Sequence, residues 1–208
     1  DELNFDKYHN NYDRVAQVFQ HQTWNGKVGT GPAIPMPLVE ELRTSYGSNF
    51  KYLAMASWEG EHILTLGDKH VNSGGMYMEK DGPKILSLNM ISGTLDGLTG
   101  LNSVLISAAT AKSLFGNENA MGKNIKIDSK LDVTVTGVYE DLPFNTSMRE
   151  VNFIAPWNLY ITTEDWFKRA ATQWGNNSFQ LYAEIGDNTS FEKVNRNIIN
   201  AKLNKVSE

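Results

Sequence analysis

Apolar and polar positions repeat with two periods along the chain, and these periods distinguish strands from helices. Ile125 and Ile127 alternate with polar residues, and Val133 and Val135 do the same after an Asp-Ser-Lys turn. A period of two predicts a β-hairpin with one buried and one solvated face. By composition and alternation, further strands are predicted over residues 14–24, 50–58, 103–106, 151–155 and 178–185.

Helical spacing of apolar residues predicts four helices. The first follows Pro37, carries Leu38 and Leu42 on one face, and is expected to end at Gly47 as its C-cap. The second lies between Ser107, as N-cap, and Gly116. The other two are predicted over residues 163–174 and, after a capping box of Thr189 with Glu192, over 190–201.

Turn residues mark two other regions. Asn25-Gly26 is the strongest short signal for a tight hairpin. Seven glycines after Gly60 interrupt the chain up to residue 100, which predicts a β-rich region of short strands joined by long loops.

The order of elements predicts an α+β fold with two lobes. Strands and helices from both chain ends, residues 1–60 and 176–208, are expected to form an α/β lobe. The intervening residues 61–175 are expected to form an inserted, mostly β lobe. Chain ends that meet on one side suit a domain held between two membrane helices.

Composition and charge exclude several function classes. The 208 residues are 40% hydrophobic and carry a net charge of −5 with no basic stripe, so neither nucleic acid nor an anionic membrane surface is an expected partner. The absence of cysteine excludes disulfides, thiolate zinc sites and cysteine nucleophiles. No apolar run approaches the roughly 20 residues that span a bilayer. The chain starts at Asp1 without Met or signal peptide, and an excised fragment is expected.

The densest polar cluster is Trp58-Glu59-Gly60-Glu61-His62. Glu59 and Glu61 allow a hydrolase hypothesis, and His62 with His70 allows a metal hypothesis. The favoured interpretation is a strand end with an inward aromatic residue and solvated polar neighbours. No catalytic, cofactor-binding or metal-binding residue is therefore predicted, and no enzyme activity is expected.

Two of the five tryptophans are candidates for contact with a ligand or partner. Trp24 lies beside the predicted hairpin tip, and Trp58 lies in the polar cluster. Aromatic rings at such positions stack on sugars or anchor protein partners. Trp166 and Trp174 lie in a helical stretch and are favoured as core residues.

A series of motifs in the middle of the chain resembles a known family. Residues 102–116 read NSVLISAATAKSLFG, residues 120–125 read AMGKNI, and residues 133–138 read VTVTGV. This order resembles the MacB-like periplasmic core domain of ABC transporter permeases of the FtsX/MacB type. Met121 stands where that family usually has Ile, and the pattern does not extend to residues 60–100.

Two flanking stretches agree with the same resemblance. Residues 5–9, FDKYH, are similar to the segment that follows the family's first transmembrane helix, and residues 141–147, DLPFNTS, are similar to its Asp-Leu-Pro-x-Asn-Ser segment. The resemblance implies a porter-like α/β lobe formed by both chain ends, with a mostly β lobe inserted.

The resemblance also implies a function and a location. It implies a non-catalytic periplasmic domain of an inner-membrane permease, anchored by flanking helices, that transmits ATP-driven movement to a substrate or partner protein. It implies no cofactor in this domain, because ATP is hydrolysed by a separate cytoplasmic ATPase. Implied partners are a second permease protomer, that ATPase, and a periplasmic adaptor or outer-membrane protein.

Three hypotheses from different classes therefore stand at this point. The leading one is the transport domain. The second is an extracytoplasmic module that binds carbohydrate or another ligand through Trp24 and Trp58, and the third is a hydrolase that uses Glu59 or Glu61.

Overall fold

Within residues 6–206, which the computed structural model describes, one sheet of eleven strands organises the fold and a two-stranded hairpin lies apart from it. The strands are β1 (Val15–Gln17), β2 (Gln20–Trp24), β3 (Lys27–Gly31), β4 (Ile34–Pro35), β5 (Phe50–Ala56), β6 (Gly60–Leu66), β7 (Lys69–Met78), β8 (Met90–Gly93), β9 (Ser103–Ser107), β10 (Asn124–Ile127), β11 (Leu131–Tyr139), β12 (Phe153–Pro156) and β13 (Asn177–Ile185). The mixed α/β class is as the sequence predicts.

Short helices connect and cover the strands. They are α1 (Pro37–Tyr46), α2 (Gly82–Ile85), α3 (Ala108–Phe115), α4 (Trp157–Tyr160), α5 (Trp166–Ala170), α6 (Phe191–Ile198) and α7 (Leu203–Val206), with 3-10 turns at Gly47–Asn49 and Gly97–Thr99. No helix in the described part of the chain has the length and apolar character needed to cross a membrane.

Six strands close into a ring. The order β7-β12-β9-β11-β10-β6 returns to β7, because β6 and β7 also form an antiparallel hairpin. Buried residues of all six strands meet inside this ring: Leu64, Tyr77, Val104, Ile106, Ile125, Ile127, Val133, Val135, Phe153 and Ala155. Leu114 and Phe115 of α3 join the same cluster. The strands alternate, so that one face fills the interior of the ring.

The remaining main strands form an arm that extends from the ring. β1 pairs with β13, β13 pairs with β5, and the end of β5 meets the end of β7 through Ala56 and Met78. We use "arm" for β1, β13 and β5 and "ring" for the six strands above. β7 belongs to the ring along its whole length and connects the arm to it.

Both faces of the arm are buried. Leu53 and Met55 pack under α1 and α5, whereas Ala54 and Ala56 pack with α2 on the opposite face. A strand covered on both faces has a nearly continuous apolar sequence, which explains the run Leu-Ala-Met-Ala in β5. The arm is therefore the middle layer of three.

Three predictions from local signals are confirmed. Asn25 and Gly26 have φ values of 49° and 74°, as a tight hairpin turn requires, and they join β2 to β3. β10 and β11 pair in the expected register. Ser107 caps α3 by accepting a hydrogen bond from the Thr110 backbone N–H, and Gly116 ends the helix with a φ of 66°.

Three helix predictions need correction. Gly47 has a φ of −54°, so the chain continues into a 3-10 turn in place of a left-handed cap. The N-cap of α6 is Ser190, not Thr189, because the Ser190 hydroxyl accepts from the Lys193 backbone N–H. The helix predicted over residues 163–174 is confined to α5, and Trp166, Phe167 and Trp174 pack against the same core cluster although the chain turns on both sides of α5.

Two strand predictions also need correction. The strand predicted over residues 14–24 is two strands, β1 in the arm and β2 in the hairpin. Residues 60–78 form the long strands β6 and β7, where short strands were expected, because Gly74 and Gly75 allow close approach of neighbouring chain segments. The division into lobes at residues 60 and 176 stays a prediction, since the sheet is continuous from the arm into the ring.

Candidate functional site

A cleft of about 460 Å³ lies beside the junction of arm and ring. Its walls come from the segment that leads into β1, from the end of β5, and from residues of β7 and β13. Its volume is in the range of sites that hold drug-sized molecules. The described residues that form its entrance and floor include Trp58, Glu59, Tyr12, Met76, Met148 and Tyr182.

Trp58 forms one wall of the cleft, and its ring is held in place. The indole Nε1–H donates to the Ser178 carbonyl oxygen at 2.9 Å, and 48% of the residue remains exposed. The preceding residue, Ser57, is buried and accepts from the Tyr77 N–H at 2.9 Å. These bonds hold Trp58 in position where it lines the cleft. The sequence-predicted contact residue thus lies at a concave site.

Glu59 lies next to Trp58 at the rim. Glu59 is an exposed residue, but neighbouring protein atoms partly shield its carboxyl group from water, and this desolvation raises the pKa of Glu59. The negative charges of Glu150 and Glu61 raise this pKa further. Arg149 acts in the opposite direction. Proximity of like charges disfavours ionisation, so this rim carries concentrated negative potential.

The two glutamates of the hydrolase hypothesis lie in different places. Glu59 lines the cleft, whereas Glu61 belongs to β6, pairs with Gly74, and does not line it. Of the two carboxylates that this hypothesis names as alternatives, the cleft therefore holds Glu59.

The floor of the cleft is mostly apolar. Met76, Leu86 and Met148 are buried there. Tyr182 is also buried and donates its hydroxyl to Gln180 Oε1 at 3.3 Å. Burial raises the pKa of Tyr182, and the negative charges of Glu59 and Asp6 raise it further, so this tyrosine stays neutral.

Asp6 fixes the N-terminal wall. Its Oδ1 accepts from the Thr146 hydroxyl at 2.8 Å, the Ser147 N–H at 2.7 Å and the Ser147 hydroxyl at 3.1 Å. Two stretches that resembled the same family, 5–9 and 141–147, are thereby in contact within the described part of the chain, while Phe5 lies outside it. No pattern in the sequence indicates that these two stretches contact each other.

The histidines of the metal hypothesis lie apart. His62 contacts Asp128 Oδ2 through Nδ1 at 2.6 Å, and His70 contacts the Thr65 hydroxyl at 3.1 Å. His70 is paired with Thr65 across the β6–β7 hairpin and therefore lies on the same face as Thr65. Since Thr65 and His62 are three positions apart on β6, the two histidines lie on opposite faces of the hairpin. Among residues 6–206, no group of three His, Cys, Asp or Glu side chains could hold a metal ion.

Three of the other four tryptophans were weighed from the sequence as contact or core residues. Trp24 ends β2, paired with Lys27, but its side chain is outside the described part of the structure, so its contact role stays a prediction. Trp166 and Trp174 pack against the core on the face of the arm that α1 and α5 cover, and a core position was favoured for both from the sequence. The Trp166 ring stacks on Phe179 with centroids 5.6 Å apart.

Sequence reasoning missed several residues that line the cleft. Gln17, Met76, Met148 and Tyr182 come from separate elements and carry no shared motif. The Gln17 side-chain amide lies among them, and its Nε2 has no acceptor in the part of the chain described.

Solved structures with similar folds belong to transport proteins. They are a domain assigned to a permease protein from Porphyromonas gingivalis (TM-score 0.74, 20% identity, 92% of this chain and 81% of that chain), the periplasmic region of MacB from Actinobacillus actinomycetemcomitans (0.65, 16%, 93% and 84%), and the extracellular domain of the noncanonic ABC-type transporter YknZ from Gram-positive bacteria (0.62, 14%, 91% and 95%). These identities establish likeness of fold.

A comparison with protein families supplies the remaining link. No curated protein matches the sequence significantly. The family model of the MacB-like periplasmic core domain, however, matches residues 2–201, which is nearly the whole chain. The motifs at 102–138 and the contact between Asp6 and residues 146–147 lie within this match. The chain therefore belongs to the family of MacB-like periplasmic core domains.

Proposed function

We propose that this chain is the non-catalytic periplasmic domain of an ABC transporter permease and that it transmits ATP-driven movement to a substrate or partner outside the inner membrane. ATP is hydrolysed by a separate cytoplasmic ATPase, and this domain carries no cofactor. Helices that flank the domain in the parent permease anchor it to the membrane.

The observation that carries this proposal is the continuous sheet. β13 is hydrogen-bonded to β5, β5 meets β7 at Ala56 and Met78, and β7 pairs with both β6 and β12 of the ring. No flexible linker separates arm from ring along this path. Because packed sheets resist continuous deformation, displacement of the arm carries the ring with it.

Two segments near the ends of the described chain, β1 and the residues around Ala201, are attached to the arm, where movement would enter. β1 pairs with β13, and Ala201 packs in the core between the arm and its helices. Lys202 Nζ lies 2.6 Å from Gln20 Oε1 and 2.8 Å from Asn177 Oδ1. The ring, which lies beyond the arm, is then the moving surface that a second protomer, a periplasmic adaptor or an outer-membrane protein would contact.

Distance measurement in the assembled transporter tests the relay. The domain has no cysteine, so Lys130→Cys at the β10–β11 turn and Asn195→Cys on α6 can be spin-labelled in a parent permease free of other cysteines. Both positions are exposed. We expect ATP with vanadate to change the distance between Lys130 labels of the two protomers, relative to ADP.

The control is the distance from residue 130 to residue 195 within one protomer, measured with excess unlabelled partner. It should stay constant in both nucleotide states. A constant distance between protomers, or a changing distance within one, would contradict transmission by a domain that moves as a unit. Normal export by a permease that lacks both arm and ring would also overturn the proposal.

A further inference from the structure

The cleft beside Trp58 has a one-sided charge. Of the described residues that line it, Asp6 and Glu59 are acidic and none is lysine or arginine. His9 also lines it, but the His9 Nδ1 is occupied by the Leu86 carbonyl oxygen at 2.8 Å. A guest with positive charge therefore meets attraction and no competing cation on the cleft wall.

Glu59 has its charge available for such a guest. Within residues 6–206, the Glu59 carboxylate makes no hydrogen bond and no ion pair, in contrast to Asp6, whose Oδ1 accepts three hydrogen bonds. The neighbouring cation, Arg149, is paired with Glu150 at 3.1 Å. A carboxylate crowded by Glu61 and Glu150 and lacking a partner gains from an added cation.

The rest of the cleft favours an apolar body attached to that charge. Trp58 is half exposed and its ring is fixed by the bond to Ser178, so an aromatic side chain at the cleft loses little freedom on binding. A cation over such a face is attracted by the ring quadrupole. Met76 and Met148 form a polarisable apolar floor that adapts to the shape of a guest.

We infer that this cleft is a binding site for an organic cation with an apolar body, held by the Glu59 carboxylate, the face of Trp58 and the methionine floor. The volume of about 460 Å³ accommodates one drug-sized molecule. Asp6 adds negative potential while its own bonds hold the wall in place. The inference is independent of the relay, because it concerns binding by the 208-residue chain alone.

A pair of ions of matched size and opposite charge tests the inference. Tetraphenylphosphonium and tetraphenylborate share the same apolar shell, and each is titrated calorimetrically into the 208-residue chain. We expect the cation to bind and the anion to bind at least about tenfold more weakly, since only the sign of the charge differs. Equal affinity for the two ions, or no heat with the cation up to millimolar concentration, would overturn the inference.

Substitutions locate the site. Glu59→Gln and Trp58→Leu should each weaken binding of tetraphenylphosphonium by about tenfold. The matched control is Glu61→Gln, which removes one carboxylate two residues away that does not line the cleft. If Glu61→Gln weakens binding as much as Glu59→Gln, the effect is one of general surface charge and the assignment is wrong. Circular dichroism and thermal unfolding confirm that each variant is folded.

The dependence on pH gives a further readout. Since the pKa of Glu59 is raised, protonation as the pH falls through that pKa should abolish its contribution to cation binding. The other charged groups that shift the pKa of Glu59 or of Tyr182 are Glu61, Glu150, Arg149 and Asp6. The loss of cation affinity that protonation of Glu59 causes at low pH should be absent in Glu59→Gln. An equally steep loss of affinity in that variant would contradict the assignment.

Discussion

The aromatic ring of Phe153 lies directly over Gly75, its partner in the parallel register of β7 and β12, so a Cβ atom at residue 75 would overlap the ring. The pair lies at the point where β7 also meets β6 through Gly60. Glycine is thus required here for close approach across a strand pair that closes the ring.

Gly75→Ala should lower the free energy of unfolding by about 1–3 kcal/mol, because the added methyl group forces the buried Phe153 to move. Urea unfolding measures the difference. Gly47→Ala is the control, because residue 47 has a φ of −54° and no atom within 4 Å of the added Cβ. That variant should be as stable as the original or slightly more so. Equal midpoints for Gly75→Ala and the original chain would contradict the packing described.

Tyr139→Phe should destabilise the domain by about 1–2 kcal/mol. The Tyr139 hydroxyl is fully buried and donates to the Val151 carbonyl oxygen at 2.9 Å, so its removal leaves a buried acceptor without its donor. Tyr12→Phe makes the same change in a tyrosine that is half exposed, and it serves as the comparison. Thermal unfolding of both variants should show a loss for residue 139 alone, and identical losses would refute the role assigned to this bond.

Alkaline pH should destabilise the domain through the same tyrosine. Burial raises the pKa of Tyr139 well above its ordinary value of 10.0. The unfolded chain therefore releases this proton first, so the contribution of Tyr139 is complete below pH 10.0 and is lost as the pH rises above it. Unfolding measured between pH 8 and 11, as a range about that value, should show a shallower decline for Tyr139→Phe. Parallel profiles would contradict this prediction.

Ser190→Ala should cost about 1 kcal/mol, whereas Thr189→Ala should cost nothing as a cap. The Ser190 Oγ accepts from the Lys193 N–H at 3.3 Å. The Thr189 Oγ1 is buried and has no partner in the part of the structure described. Denaturant unfolding of the two alanine variants distinguishes these neighbouring positions. A larger loss at residue 189 would restore the capping box inferred from sequence.

Local signals predicted the parts of the fold that are themselves local. The turn between Ile127 and Leu131 and the cap at Ser107 depend on neighbouring residues, and both are found as predicted. The boundary at Thr189 failed because two adjacent residues can each cap a helix and tertiary packing selects one. The family resemblance succeeded because several short motifs occur in the right order, although each alone is unspecific.

The candidate site was only partly predictable. Trp58 and Glu59 were singled out by their unusual clustering, and both line the cleft. Met148 and Tyr182 could not be found in this way, because they become neighbours only through the pairing of distant strands. A residue buried at a cleft floor has the same apolar signature in the sequence as one buried in the core.

Closure of the ring has a consequence for how quickly this chain reaches its native state. Gly75 pairs with Phe153, from which a large part of the chain separates it in sequence. Val15 and Glu184 also pair, although they lie near opposite ends of the sequence. Such contacts of large sequence separation require loop-closure entropy to be lost before packing compensates for it, which slows folding to roughly milliseconds to seconds. The β10–β11 hairpin has local contacts, so we expect it to form on the microsecond scale, before the other strands of the ring pair.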